Sequence, residues 1–235
     1  TAIPLNNRQK EIGSSAPFGL TDVLINSHAD HLPQKAYAYI AEYLVGVEEP
    51  ELQKLLNNKI VSFSPGTIIL KRGIQIEFIF LLLTGNIEMI NADTGVYNIF
   101  SSGAMIGEHY SPDDHQTTAT YRTINFVHAL KIPTQTYRRF VERNKLVETM
   151  THLCGRKEFL LHSWLFGEAL SPRVQTRIAE QMQPISYPNK GKKVVINRPN
   201  TLYLIESGTI DRVYKGNVLE NLAEGDFFGE NRALF

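Results

Sequence analysis

The chain of 235 residues has one cysteine, Cys154, and one tryptophan, Trp164. A single thiol cannot close a disulfide within the chain or build a cysteine cage around a metal. Cys154 is read as a small, buried apolar residue, and the scarcity of cysteine fits a reducing, cytoplasmic compartment. An excess of charge of either sign is also missing, since 24 Lys+Arg balance 24 Asp+Glu. Nucleic-acid binders carry a basic excess or stripe, so no nucleic-acid partner is expected. No apolar run approaches the roughly 18 residues that a membrane-spanning helix needs. The densest run, Phe78 to Leu83, has the length of a strand. Residues 1–33 lack the basic, apolar, small-residue layout of a signal peptide. No P-loop, dinucleotide fingerprint, nucleophile elbow or paired-carboxylate arrangement is present, so no catalysis is expected in this chain.

What is present is a chain with 43% hydrophobic residues, enough for ordinary cores. Gln34 to Val45 reads as a helix with Tyr37, Ile40, Ala41 and Leu44 on one face. A short helix follows over Pro50 to Leu56, with Pro50 in its first turn. The period then changes to that of strands. Ile60–Phe63, Thr67–Leu70, Glu77–Leu83, Ile87–Asn91, Val96–Phe100, Thr118–Ile124 and Phe126–Ile132 are β candidates, separated by Gly turns such as Ser64-Pro65-Gly66 and Thr84-Gly85-Asn86. After Pro133 the pattern is helical. Tyr137, Phe140 and Val141 share a face, as do Leu146, Met150 and Leu153, which gives two helices to about Phe166. Ser171-Pro172 reads as an N-cap and first position of a helix carrying Val174, Ile178, Ala179 and Met182. Strand patterns resume at Pro184–Tyr187, Val194–Ile196, Leu202–Ile205, Ile210–Tyr214 and Val218–Leu222.

One pattern occurs twice. Gly103-Ala-Met-Ile-Gly107-Glu108 and Gly225-Asp-Phe-Phe-Gly229-Glu230 stand about 122 residues apart. Each follows an apolar run that ends at a turn glycine, Gly85 or Gly208. That interval suits a duplicated domain rather than a solenoid repeat. The expected fold class is α+β, mainly β: two jelly-roll-like β-rolls with flanking helices. The divisions are a leader over 1–33, a first domain over 34–165 and a second over 166–235, the last cut off within its Gly-Glu turn. Two glycines around an apolar pair, then a glutamate, suggest a backbone turn built to receive a phosphate and a hydroxyl.

The ordered series resembles the cyclic nucleotide-binding domain family in tandem, of the kind in cyclic AMP receptor proteins and protein kinase A regulatory subunits. The first copy shows Phe63-Ser-Pro-Gly-Thr-Ile-Ile69, Gly73, Phe78 to Ile87, then Gly107-Glu108. The second shows Tyr187-Pro188, Lys190-Gly191, Val194 to Ile196, Leu202 to Ile210, then Gly225 to Glu230. The resemblance implies that Glu108 and Glu230 accept a ribose 2′-hydroxyl. Gly107 and Gly229 would turn backbone N–H groups toward the cyclic phosphate at a helix start. An arginine about ten residues past the first of these glycines would neutralise that phosphate. The implied ligand is cAMP or cGMP, with no other cofactor. The matching positions are Gly107, Glu108, Thr117 and Thr118 in the first copy, and Gly229, Glu230, Asn231 and Arg232 in the second.

The departures matter as much as the matches. Thr117 stands where the family has its phosphate arginine. Arg122 is five residues on and, by strand parity, faces away from it. Asp113 and Asp114 make the same loop less hospitable to an anion. A buried monoanion without a cation costs several kcal/mol, more than a hydroxyl contact returns. The first copy is therefore expected to bind a cyclic nucleotide weakly or not at all. In the second copy the arginine position falls beyond Phe235, and Arg232 is expected to be solvated.

Other motifs carry plainer readings. Asn26-Ser27-His28-Ala29-Asp30-His31 is similar to the His-x-His-x-Asp-His signature of metallo-β-lactamase-fold hydrolases, with its first histidine replaced, but no further ligand set follows. A loop-to-helix junction capped by Ser27 or Asp30 is the simpler account of His28, Asp30 and His31, and no metal is expected. His109, His115 and His128 show no converging ligand spacing. Arg138-Arg139, Arg143-Asn144-Lys145 and Arg156-Lys157-Glu158 read as solvated faces. Ser163 lacks a nucleophile's surroundings, and Trp164 and Phe166 read as packing residues.

The expected function is a regulatory, ligand-sensing module. Helices after each roll would transmit ligand occupancy to an effector domain or partner protein, and a homodimer is an open arrangement. Three alternatives stay open: a ligand-free scaffold or dimerisation module, the regulatory part of a metallo-β-lactamase-like hydrolase, and a transcription factor of the cyclic AMP receptor type.

Overall fold

The sequence Phe78-Ile-Phe-Leu-Leu-Leu-Thr84 is apolar at both alternations, as a strand covered on both faces must be. It forms the centre of a computed structural model that describes residues 31–91, 97–108, 116–163, 166–167, 170–188, 191, 193 and 201–229. Among these residues the order begins α1 (Leu32–Tyr43), α2 (Glu49–Leu56), β1 (Lys59–Phe63), β2 (Ile68–Leu70), β3 (Phe78–Thr84), β4 (Ile87–Ile90), β5 (Tyr97–Phe100), β6 (Met105–Ile106), β7 (Thr120–Thr123) and β8 (Val127–Pro133). It continues with α3 (Thr134–Arg143), α4 (Val147–His162), α5 (Pro172–Gln181), β9 (Leu202–Leu204), β10 (Ile210–Tyr214), β11 (Asn217–Leu222) and β12 (Phe227–Gly229). The fold is α+β and mainly β, as expected. No helix among the described residues is long and apolar enough to cross a membrane.

Two four-stranded antiparallel sheets make the roll, in the orders β1-β8-β3-β6 and β2-β7-β4-β5. Alternation along β3 divides the core. Phe80 and Leu82 join Ile87, Ile106, Val127 and Ala129 between the sheets. Ile79, Leu81 and Leu83 point the other way, into a larger cluster with Ile40, Leu55, Tyr137, Phe140 and Leu160 from the helices. The helices therefore lie directly on the back of the strand that leads into the Gly85 turn.

Proline starts α1, α2 and α5, where its missing N–H costs nothing. The buried face of α1 is Leu32, Ala36, Ile40 and Tyr43. The expected face is thus corrected: Tyr37 and Ala41 are only half-buried, because the helix turns Tyr43 inward. The face of α5 is corrected too. Val174 is exposed, while Gln175, Thr176 and Ala179 are buried. Gln175 Nε2 lies 3.1, 3.3 and 3.3 Å from the carbonyl oxygens of Phe166, Gly167 and Leu170, so its amide organises the α4–α5 connection. Ser171 sits at the N-cap of α5 in extended backbone, without a side-chain cap bond. Pro184–Tyr187 forms no strand. Two short strands were not expected, β6 and β12.

β9 pairs with β12, and β10 with β11. Their turns repeat those of the roll bond for bond. Leu82 N and Gly103 N donate to Ala104 O (2.9 Å) and Leu82 O (2.8 Å), while Ile205 N and Gly225 N donate to Asp226 O and Ile205 O, both at 2.9 Å. Leu202 and Leu204 pack against the helical cluster. The strand expected at Val194–Ile196 and the leader up to Asp30 lie outside the described residues.

Candidate functional site

Behind β6 the chain turns at Gly107, whose φ of +82° is in the region that disfavours a side chain. A Cβ there would meet Leu70 Cδ1 at 3.0 Å and Phe78 O at 3.2 Å, so the turn lies tightly against β2 and β3. The turn carries Glu108 toward the helices. Only 3% of the Glu108 side chain is exposed. Tyr43 OH, from the end of α1, donates to Glu108 Oε2. Tyr137 OH, from α3, donates to Glu108 Oε1. Lys157 Nζ, from α4, stands 3.7 Å from Oε2, donates to Tyr43 OH at 3.2 Å and lies 4.7 Å from the centre of the Tyr43 ring. Both carboxylate oxygens thus have a donor from a different helix, with a cation beside them.

The electrostatics follow from that burial. The Tyr43 phenol is pushed well above its ordinary value, by burial first and then by the negative charge of Glu108. The same two causes raise the thiol of the half-buried Cys154. Cys154 thus sits beside the site as an inert thiol.

Thr117 is 3% exposed. Its hydroxyl donates to Ala119 O at 2.9 Å and accepts from Ala119 N at 3.3 Å. Its backbone is tied to the loop after β2, Gly73 N donating to Thr117 O at 2.8 Å and Thr117 N to Ile74 O at 3.3 Å. The hydroxyl is thus satisfied within two residues of itself. Thr118 is exposed. Arg122 pairs with Glu88 across β7 and β4, with 48% of its side chain exposed. Thr117 is thus buried and Arg122 half-exposed on β7, which begins only at Thr120.

In the second unit Gly229 has φ +136°, and a Cβ there would meet Thr201 O at 2.4 Å. Tyr203 and Phe228 stack at 5.0 Å beside it. Glu230, Asn231 and Arg232 lie outside the described residues, as do Asp113, Asp114, His109, His115, Trp164, His28 and Asp30. His31 precedes α1 as an exposed N-cap residue without a side-chain cap bond. Among the described residues no three His, Cys, Asp or Glu side chains could hold a metal together. His128 Nδ1 lies 2.8 Å from Thr84 Oγ1. Ser163 Oγ donates to Leu160 O at 2.8 Å, a structural contact.

The residues that gather around Glu108 escape a reading of the sequence. Tyr43 ends a helix and Tyr137 reads as core. Lys157 reads as solvated, yet only 19% of its side chain is exposed. Arg156 is corrected as well: its Nη1 donates to Ala179 O at 3.1 Å, tying α4 to α5. Beside this group a cleft of about 300 Å³ opens between α1, α4 and α5, lined by Tyr43, Leu44, Met150, Leu153, Arg156 and Glu180. The Glu180 carboxyl there is raised by burial and by Glu42.

Residues 60–144, from β1 to the end of α3, match the model of the cyclic nucleotide-binding domain. Over 174 residues it is 28% identical to a cAMP-dependent protein kinase regulatory subunit of Candida albicans, covering 72% of this chain and 36% of that protein. It is 25% identical over 197 residues to a cGMP-dependent protein kinase of Eimeria tenella, covering 80% of this chain and 18% of that one. The chain therefore spans a minor part of both relatives. Among solved structures, the regulatory domain of Toxoplasma gondii PKA with cAMP is 13% identical at a TM-score of 0.45, covering 86% of this chain and 79% of that one.

Proposed function

We propose that the chain is a regulatory module of tandem cyclic nucleotide-binding rolls, and that its first roll does not take up a cyclic nucleotide tightly. The observation that carries this is Thr117. At the position of the family's phosphate arginine stands a buried threonine whose hydroxyl is used up on Ala119. A cyclic phosphate brought to this turn would lose its hydration without gaining the charge-assisted partner that compensates for it. Arg122 is no substitute, since its guanidinium faces Glu88 on the outer side of the sheet.

The tandem reading draws support from backbone geometry. Phe80 pairs with Ile106 in the first unit and Tyr203 with Phe228 in the second. Phe80 and Tyr203 stand equally far before Gly85 and Gly208, and Ile106 and Phe228 equally far after Gly103 and Gly225. The second roll would use Gly229 and Glu230. On this reading cAMP or cGMP is the ligand of the second roll, and an effector domain or partner protein receives the signal through α3, α4 and α5.

The internal engagement of Glu108 favours a second reading, in which the first roll is purely a scaffold. Thermal unfolding of the chain with cAMP or cGMP at about 1 mM tests the binding claim. A micromolar binder would then gain more than about 2.7 kcal/mol, which shifts the midpoint visibly. No shift assignable to the first roll is expected; a rise of several degrees that Glu108→Gln abolishes overturns the claim, whereas a rise that survives Glu108→Gln belongs to the second roll.

A further inference from the structure

Glu108 is connected to more of the molecule than any other side chain of its turn. Its two oxygens accept from Tyr43 at the end of α1 and from Tyr137 in α3, and Lys157 in α4 lies 3.7 Å away. These partners come from three helices that are separate in sequence. Lys157 also donates to Tyr43 OH, which closes the group into a ring. The surroundings are Cys154, Met150 and Leu153, with only 3% of the Glu108 side chain exposed. Buried carboxylates persist where donors satisfy them, and removing one partner leaves an uncompensated charge.

We propose that Glu108 is a latch that fixes α1, α3 and α4 on the roll as one cooperative unit, so that whatever occupies the carboxylate decides the position of all three helices. With only 3% of the side chain exposed and a tyrosine hydroxyl on each oxygen, an external hydroxyl reaches the carboxylate only where a tyrosine moves aside. An external hydroxyl donor at the turn and the closed arrangement of helices therefore exclude one another. Packed interfaces of this kind switch between discrete arrangements rather than deforming gradually. The position of Tyr43 extends the latch to the neighbouring cleft, because its side chain also lines that space.

The purpose of the latch rests on the regulatory reading, but its geometry does not depend on nucleotide binding. A ligand-induced thermal shift that Glu108→Gln abolishes would overturn the claim about the first roll and leave the following test untouched. Amide hydrogen exchange is measured by segment on the whole chain as wild type, Tyr43→Phe, Glu108→Gln and the double variant. Tyr43→Phe removes one hydroxyl and keeps the ring, so the fold is retained. A working latch speeds exchange in α1, α3 and α4 together by roughly ten-fold or more, and leaves β3 and β8 unchanged. In the Glu108→Gln background the same substitution adds less than roughly two-fold, because the partner is already gone. Acceleration confined to α1, equal acceleration in β3 and β8, or an undiminished effect in the Glu108→Gln background overturns the proposal. Should Glu108→Gln fail to fold, Tyr43→Phe alone decides: joint acceleration of α1, α3 and α4 supports the latch, and acceleration confined to α1 or equal in β3 and β8 overturns it.

Discussion

Gly85 and Gly66 have nearly the same backbone, with φ of +83° and +79°, and differ in what surrounds them. At Gly66 a Cβ would have open space; at Gly85 it would meet Phe126 O at 2.3 Å and Val127 Cγ2 at 2.8 Å. Gly66→Ala is therefore expected to cost about 1–2 kcal/mol from backbone strain alone. Gly85→Ala should cost more than about 3 kcal/mol, since the strand behind the turn must move as well. Urea midpoints of the two variants check this, and equal losses would refute it. The tyrosines give a second test at this scale. Burial, and then the charge of Glu158, push the Tyr121 phenol from 10.0 up to about 12, and Tyr43 is raised well above its ordinary value. A raised value means that the folded chain holds the proton more tightly than the unfolded one. The contribution of Tyr121 is therefore fully present below pH 10 and is lost as pH rises through about 12, and that of Tyr43 is lost in the same direction. The urea midpoint should fall over that window while two tyrosines ionise late by ultraviolet absorbance. Full tyrosine ionisation near pH 10 without loss of stability would contradict the burial.

Among the elements, the α4–α5 connection depends on one amide. The buried Gln175 side chain is within reach of three carbonyls, and Arg156 adds a bond to Ala179 O. Gln175→Ala is expected to cost about 1–3 kcal/mol and to open this connection to limited proteolysis before the roll is cut. Cleavage in the roll first would place the weak point elsewhere. The periodic elements were legible in the sequence because β3 is an unbroken apolar run of strand length and the 3–4 spacing in α3 marks a single face. β6 and β12 were not, since they are too short to show a period and exist through their partners, β3 and β9. The strand expected at Pro184–Tyr187 shows the opposite error: apolar residues with two prolines and no ladder to join. The glycine turn before Glu108 could be read from the residues themselves. The partners of Glu108 could not, because they converge from positions 65, 29 and 49 residues away, and two of them look like ordinary core or surface.

For the whole molecule, the polar groups of the first roll are engaged within the protein. Glu108 holds helices, Thr117 closes on its own loop, and Arg122 pairs on the outer sheet. The second set of strands repeats the turns at Gly85 and Gly103 in those at Gly208 and Gly225. A micromolar ligand needs about 8 kcal/mol of binding free energy, and an unpaired buried phosphate removes several kcal/mol of it. Calorimetric titration of the wild-type chain with cAMP and with cGMP, each to about 1 mM, tests this most directly. The account predicts no saturable heat at the first roll; stoichiometric binding with a micromolar dissociation constant, abolished by Glu108→Gln, would contradict it.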